Sequence, residues 1–248
     1  SDWVSGTATV DKENPHPLHD RLNFLVPKSE VEVIDTWFTA GMRGTGSRDF
    51  RLDKVFIPAH RILTMYELQS GKSPGRQALP EYTGLGAPYF TTLLSSVLGP
   101  LLGATSRTIE EYTAYTKTRS GIAGLSHINR SSTQMKLGYA QARLDAMQRV
   151  VRGIFDEMEA DVAAGRKISA EQRMRSRRDA AYVGDECAKI VDHLISSAGS
   201  RGQHDSSVFQ LIQRDVHTIR THIAFDLEDA TEAYGRQMLG LPIEVLRF

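Results

Sequence analysis

The chain has 248 residues, 40% of them hydrophobic and 24% charged, which is the composition of a globular protein of one or two domains with a sizeable core. Thirty basic and thirty acidic side chains cancel to a formal net charge of zero, so no overall field draws the protein to nucleic acid or an anionic membrane, and neither is expected as a partner. One cysteine, Cys187, excludes an intramolecular disulfide framework and fits a reducing cytoplasm, and no run reaches the roughly 18 apolar residues of a membrane span.

Residues Ser1 to Pro58 read as β, because short runs rich in Val, Thr, Phe and Trp alternate with turn chemistry. Strands are expected at Trp3–Val10, Leu22–Val26, Val31–Phe38 and Phe50–Ile57, with a loop at NPHPLHD and a tight turn at GMRGTGSRDF. The stretch from Ile62 to Pro88, rich in Gly, Pro and polar residues, reads as a long connection.

From Tyr89 the period becomes helical. Leu94, Val97, Leu98, Leu101, Leu102 and Ile109 define a first long helix, with a kink expected at Pro100. After a loop at Ser120–His127, Leu144, Met147, Val151, Ile154, Phe155, Met158 and Val162 define a second, ended by Gly165 as a C-cap glycine. Ser169 and Gln172 form a capping-box signature that opens a third helix, running to about Ser197, in which Cys187 is a small core residue. A fourth is expected at Ser206–Phe225 and a shorter fifth at Leu227–Leu239, stopped by Gly240 and Pro242. The fold class is therefore α+β: a partial β-barrel or sandwich followed by an up-and-down four-helix bundle. The expected division is 1–62 as part of a β-domain, 63–88 as the connection and 89–248 as the bundle domain.

Few constellations carry chemistry. The eight histidines lack a carboxylate or thiol at zinc spacing, so no metal is expected, and there is no GxSxG elbow or P-loop. Gly44–Gly46 lies between strands, not at a strand-to-helix turn, and RMRSRRD at residues 173–179 reads as a solvated or intersubunit charged face. His217 and His222 stand five residues apart, about 140° around a regular helix. They cannot share one pocket, unless the helix ends between them.

Two blocks, GMRGTGSRDFRLDKVFIPAHR at 41–61 and SSAGSRG with QLIQRDVHTIRTH within 196–222, resemble the acyl-CoA dehydrogenase superfamily. The resemblance covers essentially the whole chain. It is strongest to the flavin-dependent monooxygenase branch, the oxygenase components of two-component aromatic hydroxylases. It implies a reduced flavin, FMN or FAD, delivered by a separate flavin reductase. A C4a-hydroperoxyflavin would then hydroxylate a small aromatic, phenolic substrate in a homotetramer.

Where dehydrogenases of the superfamily typically carry a catalytic glutamate in a YEGT-like segment, this sequence reads His222, Ile223, Ala224 and Phe225. The resemblance therefore implies His222, with His217 second, as the residue that orients or deprotonates the substrate and helps hold the hydroperoxide. It also implies cofactor contacts at Ser47, Arg119, Gln134, Ser197, Gly199 and Ser200. The family pattern Arg-x-x-Phe-Gly is replaced here by Arg119, Ser120, Gly121 and Ile122.

Family members begin with a helical domain and the first half of the β-domain, so the chain is expected to be an N-terminally incomplete member that by itself binds flavin weakly or not at all and catalyses nothing. An acyl-CoA dehydrogenase or amine N-oxygenase on the same fold is the alternative chemistry, and a non-catalytic helical assembly module the alternative of another class.

Overall fold

The computed structural model describes residues 2–120, 124 and 126–243; Gly121 and Ile122 of the altered arginine pattern lie outside the described residues. Strand β1 (Trp3–Thr9) pairs antiparallel with β2 (Arg21–Pro27), placing Gly6 opposite Phe24. Two further strands, β3 (Glu32–Ile34) and β4 (Asp49–Arg51), form a separate antiparallel pair. The two sheets meet at Gly6, where a Cβ would stand 2.5 Å from the Phe24 ring and 2.7 Å from the Phe50 ring. Glycine there leaves the room in which both rings pack.

The strands differ from expectation for local reasons. Strand β3 ends at Ile34, because the chain then turns so that Trp37 Nε1 donates to the carbonyl of Met42 at 2.8 Å. Strand β4 is confined to Asp49–Arg51, and Lys54 takes a left-handed φ of 53°, which a ladder does not accommodate. A fifth strand, β5 (Ile62–Thr64), pairs with β2 where a connection was expected. The rest of that connection holds helices α1 (Met65–Gln69) and α2 (Pro74–Ala78). Thr64 and Glu67 form a full capping box for α1, and Ser73 caps α2 with Pro74 in its first turn.

The helical expectations hold more closely. Helix α3 (Tyr89–Lys117) runs through Pro100 as one helix. Helix α4 (Ser131–Ala163) closes with Gly165 at φ 67°. The Gly165 N–H bonds the Val162 carbonyl at 3.1 Å and the Arg166 N–H bonds that of Asp161 at 2.8 Å, the paired bonds of a Schellman cap. Helix α5 (Ala170–Ala198) opens on the Ser169/Gln172 box. Helix α6 (Val208–Arg220) is shorter than expected, stopping before a 3₁₀ turn at Ile223–Phe225, and α7 (Leu227–Met238) follows.

Side-chain pairs fix the bundle's directions. Lys136 meets Ser197, Arg143 meets Glu186 and Arg175 meets Glu157, so α4 and α5 are antiparallel. The Tyr115 hydroxyl donates to the Ala198 carbonyl at 2.7 Å, end beside end, so α3 and α5 run the same way. Gln213 reaches Asp192 while Arg220 reaches Asp185, so α6 returns along α5.

Helix α5 is the axis of this arrangement. Its Ala180, Val183, Cys187, Ile190, Val191, Leu194 and Ile195 are at most 1% exposed and join Leu98, Leu101, Leu144 and Val216 in one core. The arginine run on α5 is not wholly a solvated face. Arg177 is 8% exposed and bonds Asp229 of α7 at 2.5 Å, and half-buried Arg173 donates to the Ile168 carbonyl, because the first turns of α5 lie under α7 and the α4–α5 turn.

Burial pushes the Cys187 thiol up to about 11, against the opposing hydrogen bond with Thr105. The thiol is therefore expected to stay protonated and inert to Ellman's reagent at mildly alkaline pH in the native protein, and to react at once in denaturant. Prompt native-state modification would contradict the packing of α5.

Candidate functional site

The implied site residues fall into three groups, each set by different elements. The first is the loop from Trp37 to Ser47 against α6. Gly41 is buried so closely on α6 that a Cβ would stand 2.1 Å from the Arg214 carbonyl oxygen and 2.6 Å from Thr218 Oγ1. Beside it, the Met42 N–H donates to Asp215 Oδ1 at 2.6 Å, with Met42 in the left-handed region at φ 54°. Thr45 Oγ1 closes the turn on the Met42 carbonyl and lies 3.3 Å from Ser47 Oγ. Ser47 itself is exposed.

The C-terminal half of α6 on which this loop rests leads to the second group. The helix ends at Arg220, Thr221 caps it, and His222 starts the 3₁₀ turn. His222 Nδ1 accepts from the Ala224 N–H at 3.2 Å, and its ring meets the buried Phe225 ring edge-on at 6.5 Å. An accepting Nδ1 places the proton of a neutral imidazole on Nε2. Among the described residues Nε2 has no hydrogen-bond partner, so exposed His222 presents a free N–H donor.

His217 belongs elsewhere. Its Nε2 lies 2.8 Å from Asp192 Oδ1 on α5, and the same oxygen accepts from Gln213 Nε2 at 2.7 Å. The helix ends between the two histidines and they also face different surfaces. The regular-helix argument therefore does not apply, and it is their separate partners that keep the two apart.

The third group sits at the other end of α6, where α3 and α5 end and α4 begins. Arg119 stacks over the Tyr115 ring at 5.1 Å, and its Nε is buried without a hydrogen-bond partner among the described residues. Gln134 Nε2 donates to the Ile128 carbonyl at 2.9 Å, tying the start of α4 to the 3₁₀ turn His127–Asn129. Ser197 Oγ accepts from Lys136 Nζ at 2.7 Å and donates to the His193 carbonyl at 2.8 Å. Gly199 ends α5 at φ 73°, ψ −168°, a backbone region that only glycine enters without strain, and Ser200 begins the next 3₁₀ turn.

This end is cationic. Among the described residues, neither Arg119, Arg130 nor Lys136 pairs with a carboxylate. Partial desolvation, with Arg130 and Arg119 adding to it, holds the His127 imidazole below its ordinary value. Unpaired cations with one orphaned guanidinium nitrogen form a donor set suited to a phosphate group.

Sequence reading passed over Asp215, Asp192, Lys136 and Arg130. Asp215 stands inside the RDV segment, but its partner, the backbone of Met42, is 173 residues away, and no spacing signal reveals such a contact. No group of three or more His, Cys, Asp or Glu side chains able to hold a metal occurs among the described residues, and none of their helices is long and apolar enough to cross a membrane.

A small two-sheet unit docked by a tight loop onto an up-and-down bundle defines the architecture. Residues 96–227, more than half of the chain, match the family model described as "Acyl-CoA dehydrogenase, C-terminal domain", and the protein belongs to that family. The flavin-dependent monooxygenase oxygenase subunit HsaA of Rhodococcus jostii is 30% identical over 227 residues, 90% of this chain and 59% of the relative. The oxygenase component of an FADH(2)-dependent resorcinol hydroxylase from Rhizobium sp. is 28% identical over 226 residues, 88% of this chain and 55% of that protein. The crystal structure of the HsaA monooxygenase from M. tuberculosis superposes with a TM-score of 0.88 at 26% identity, covering 99% of this chain and 62% of that one. The chain thus spans less than two thirds of the length of these relatives.

Gly41→Ala is expected to destabilise the protein by about 1–3 kcal/mol, since the added methyl meets helix backbone that cannot move aside. Chemical denaturation followed by circular dichroism checks this; an unchanged midpoint would mean that the loop does not rest on α6.

Proposed function

We propose that the protein is the oxygenase component of a two-component monooxygenase, which takes reduced flavin from a separate reductase and hydroxylates a small phenolic substrate. The observation that carries this reading is the His222 turn, an exposed imidazole donor at the position where dehydrogenases of the superfamily carry a carboxylate base. The names of the relatives, an oxygenase subunit and an oxygenase component, support it. Reduced flavin, when bound, supplies the activation of dioxygen and the oxygen atom that is transferred.

His222 donates from Nε2 to an oxygen of the substrate and so orients its ring. Proton abstraction by Nε2 would require the other tautomer, which would take the Nδ1 lone pair from the Ala224 N–H. The tautomer therefore favours orientation over deprotonation by this nitrogen. The loop bearing Ser47, clamped by Asp215, lines the same helix end.

At the opposite end of α6, Arg119, Arg130 and Lys136 hold the cofactor's phosphate end, with Gln134, Ser197 and the Gly199–Ser200 turn beside them. The 13 residues of α6 set these groups about 20 Å apart at about 1.5 Å per residue. In a homotetramer, one copy would hold the phosphate end of a cofactor shared with another copy.

Anaerobic titration of the full-length protein with reduced FMN and FAD, followed by mixing with oxygen and a phenol, tests the reading. His222→Asn is expected to lower hydroxylated product by about 10²-fold, the worth of one preorganised donor, while reduced-flavin affinity holds. His217→Asn is expected to cause no comparable loss. Undiminished hydroxylation by His222→Asn would remove the role of that residue. Reduction of bound oxidised flavin by an acyl-CoA would establish the dehydrogenase alternative, and no flavin binding at all by the full-length protein would leave a non-catalytic module.

A further inference from the structure

Two consecutive residues of α5 hold the segment that carries His222 at both of its ends. At the first end, Arg220, the last residue of α6, donates from Nη2 to Asp185 Oδ1 at 2.6 Å. Asp185 is 8% exposed, and its second oxygen pairs with Lys189 Nζ at 2.6 Å, so both carboxylate oxygens are engaged. At the second end, Phe225 is 4% exposed and its ring lies over Gly184, where a Cβ would stand 2.9 Å from Cδ1 and 3.0 Å from Cγ. Between these two attachments the turn is held by its own bonds. The His222 N–H donates to the Ile219 carbonyl at 2.9 Å, and the Phe225 N–H donates to the His222 carbonyl at 2.8 Å. The imidazole has no hydrogen bond outside this turn among the described residues, so its direction is inherited from the backbone that Gly184 and Asp185 fix.

We infer that Asp185 is a positioning residue for His222, acting through Arg220, and that Gly184 seats the far end of the same turn by admitting the Phe225 ring. The inference rests on the reading of His222 as a group that serves the reaction. Asp185 touches no reacting atom; it sets where the Nε2–H donor stands. The ion pair is well suited to this, because the carboxylate is sheltered at α5 while the guanidinium is the terminal side chain of α6, and a bond to a charged partner is stronger than a neutral one. Burial alone would raise the Asp185 carboxyl, but Lys189 and Arg220 outweigh it and hold it below the ordinary carboxylate value. A depressed carboxyl contributes stability that is present above the ordinary value near pH 4 and is lost as pH falls below it, so the clamp is fully formed at neutral pH.

Histidine-selective NMR of the full chain tests this without cofactor. The eight histidines give separate imidazole signals, and His222→Asn and His217→Asn assign the two that matter. Asp185→Asn and Arg220→Gln are each expected to shift the His222 signal, and to speed exchange of the Ala224 amide by about five-fold, the worth of one net hydrogen bond. The His217 signal, held by Asp192 on another face of α6, is expected to stay in place. Arg220→Lys, which can keep the ion pair, is expected to restore the wild-type His222 signal. Gly184→Ala, which displaces the Phe225 ring, is expected to move it again. An unmoved His222 signal in both Asp185→Asn and Arg220→Gln would overturn the inference. Equal movement of the His217 signal would overturn it too, because the effect would then be a general loosening of the bundle. The functional reading fails separately: if His222→Asn hydroxylates normally, the turn is still clamped but the clamp serves no reaction.

Discussion

The structure depends on α5 being buried along almost its whole length. A helix that several neighbours pack against must present a wide apolar face, and it must be thin enough for those neighbours to approach. Helix α5 meets both demands with Ala180, Ala181, Gly184, Cys187 and Ala188 where neighbours come close, and Val183, Ile190, Val191, Leu194 and Ile195 where space is to be filled. Every other long helix touches it, and ion pairs at its sides set their register: Glu186 with α4, Asp185 with α6 and Arg177 with α7. Each of these pairs is partly or wholly sheltered, so losing one partner would leave a charge without compensation.

This central helix also decides where the candidate chemistry lies. Its middle holds the His222 turn through Gly184 and Asp185, and its C-terminal end meets the cationic group through Ser197 and Gly199. The two groups are thus fixed to one rigid element at a set separation. The sheets join this frame where Gly41 lies on the backbone of α6 and Asp215 receives the Met42 N–H. A loop held by a backbone approach and a charged hydrogen bond keeps its geometry better than one held by side-chain packing alone.

Local signals in the sequence were read well because their causes are local. The Ser169/Gln172 box, the Gly165 cap and the apolar period of α4 each involve residues within one or two turns of one another, and each appears in the structure at the expected place. The short strands were read too long, since Trp37 leaves the ladder for a bond to Met42 and Lys54 breaks it with a left-handed backbone. The Thr64–Glu67 box was legible by the same rule that found Ser169–Gln172, but it lay in a stretch read by composition as a connection. The arginine run was read as surface because nothing at residues 173–179 foretells Asp229 on a later helix.

The sequence by itself determined the class of fold, the number and order of the long helices, and the family, because hydrophobic period, capping chemistry and motif order are properties of neighbouring residues. It also placed His217 and His222 about 140° apart on a regular helix, a separation that the structure does not use because α6 ends at Arg220. Only the tertiary structure decided which surfaces they reach, and that Arg119, Arg130 and Lys136 gather without a carboxylate among the described residues. Those facts depend on contacts between residues tens to more than a hundred positions apart, and such contacts exist only once the burial of α5 has brought the other elements to it.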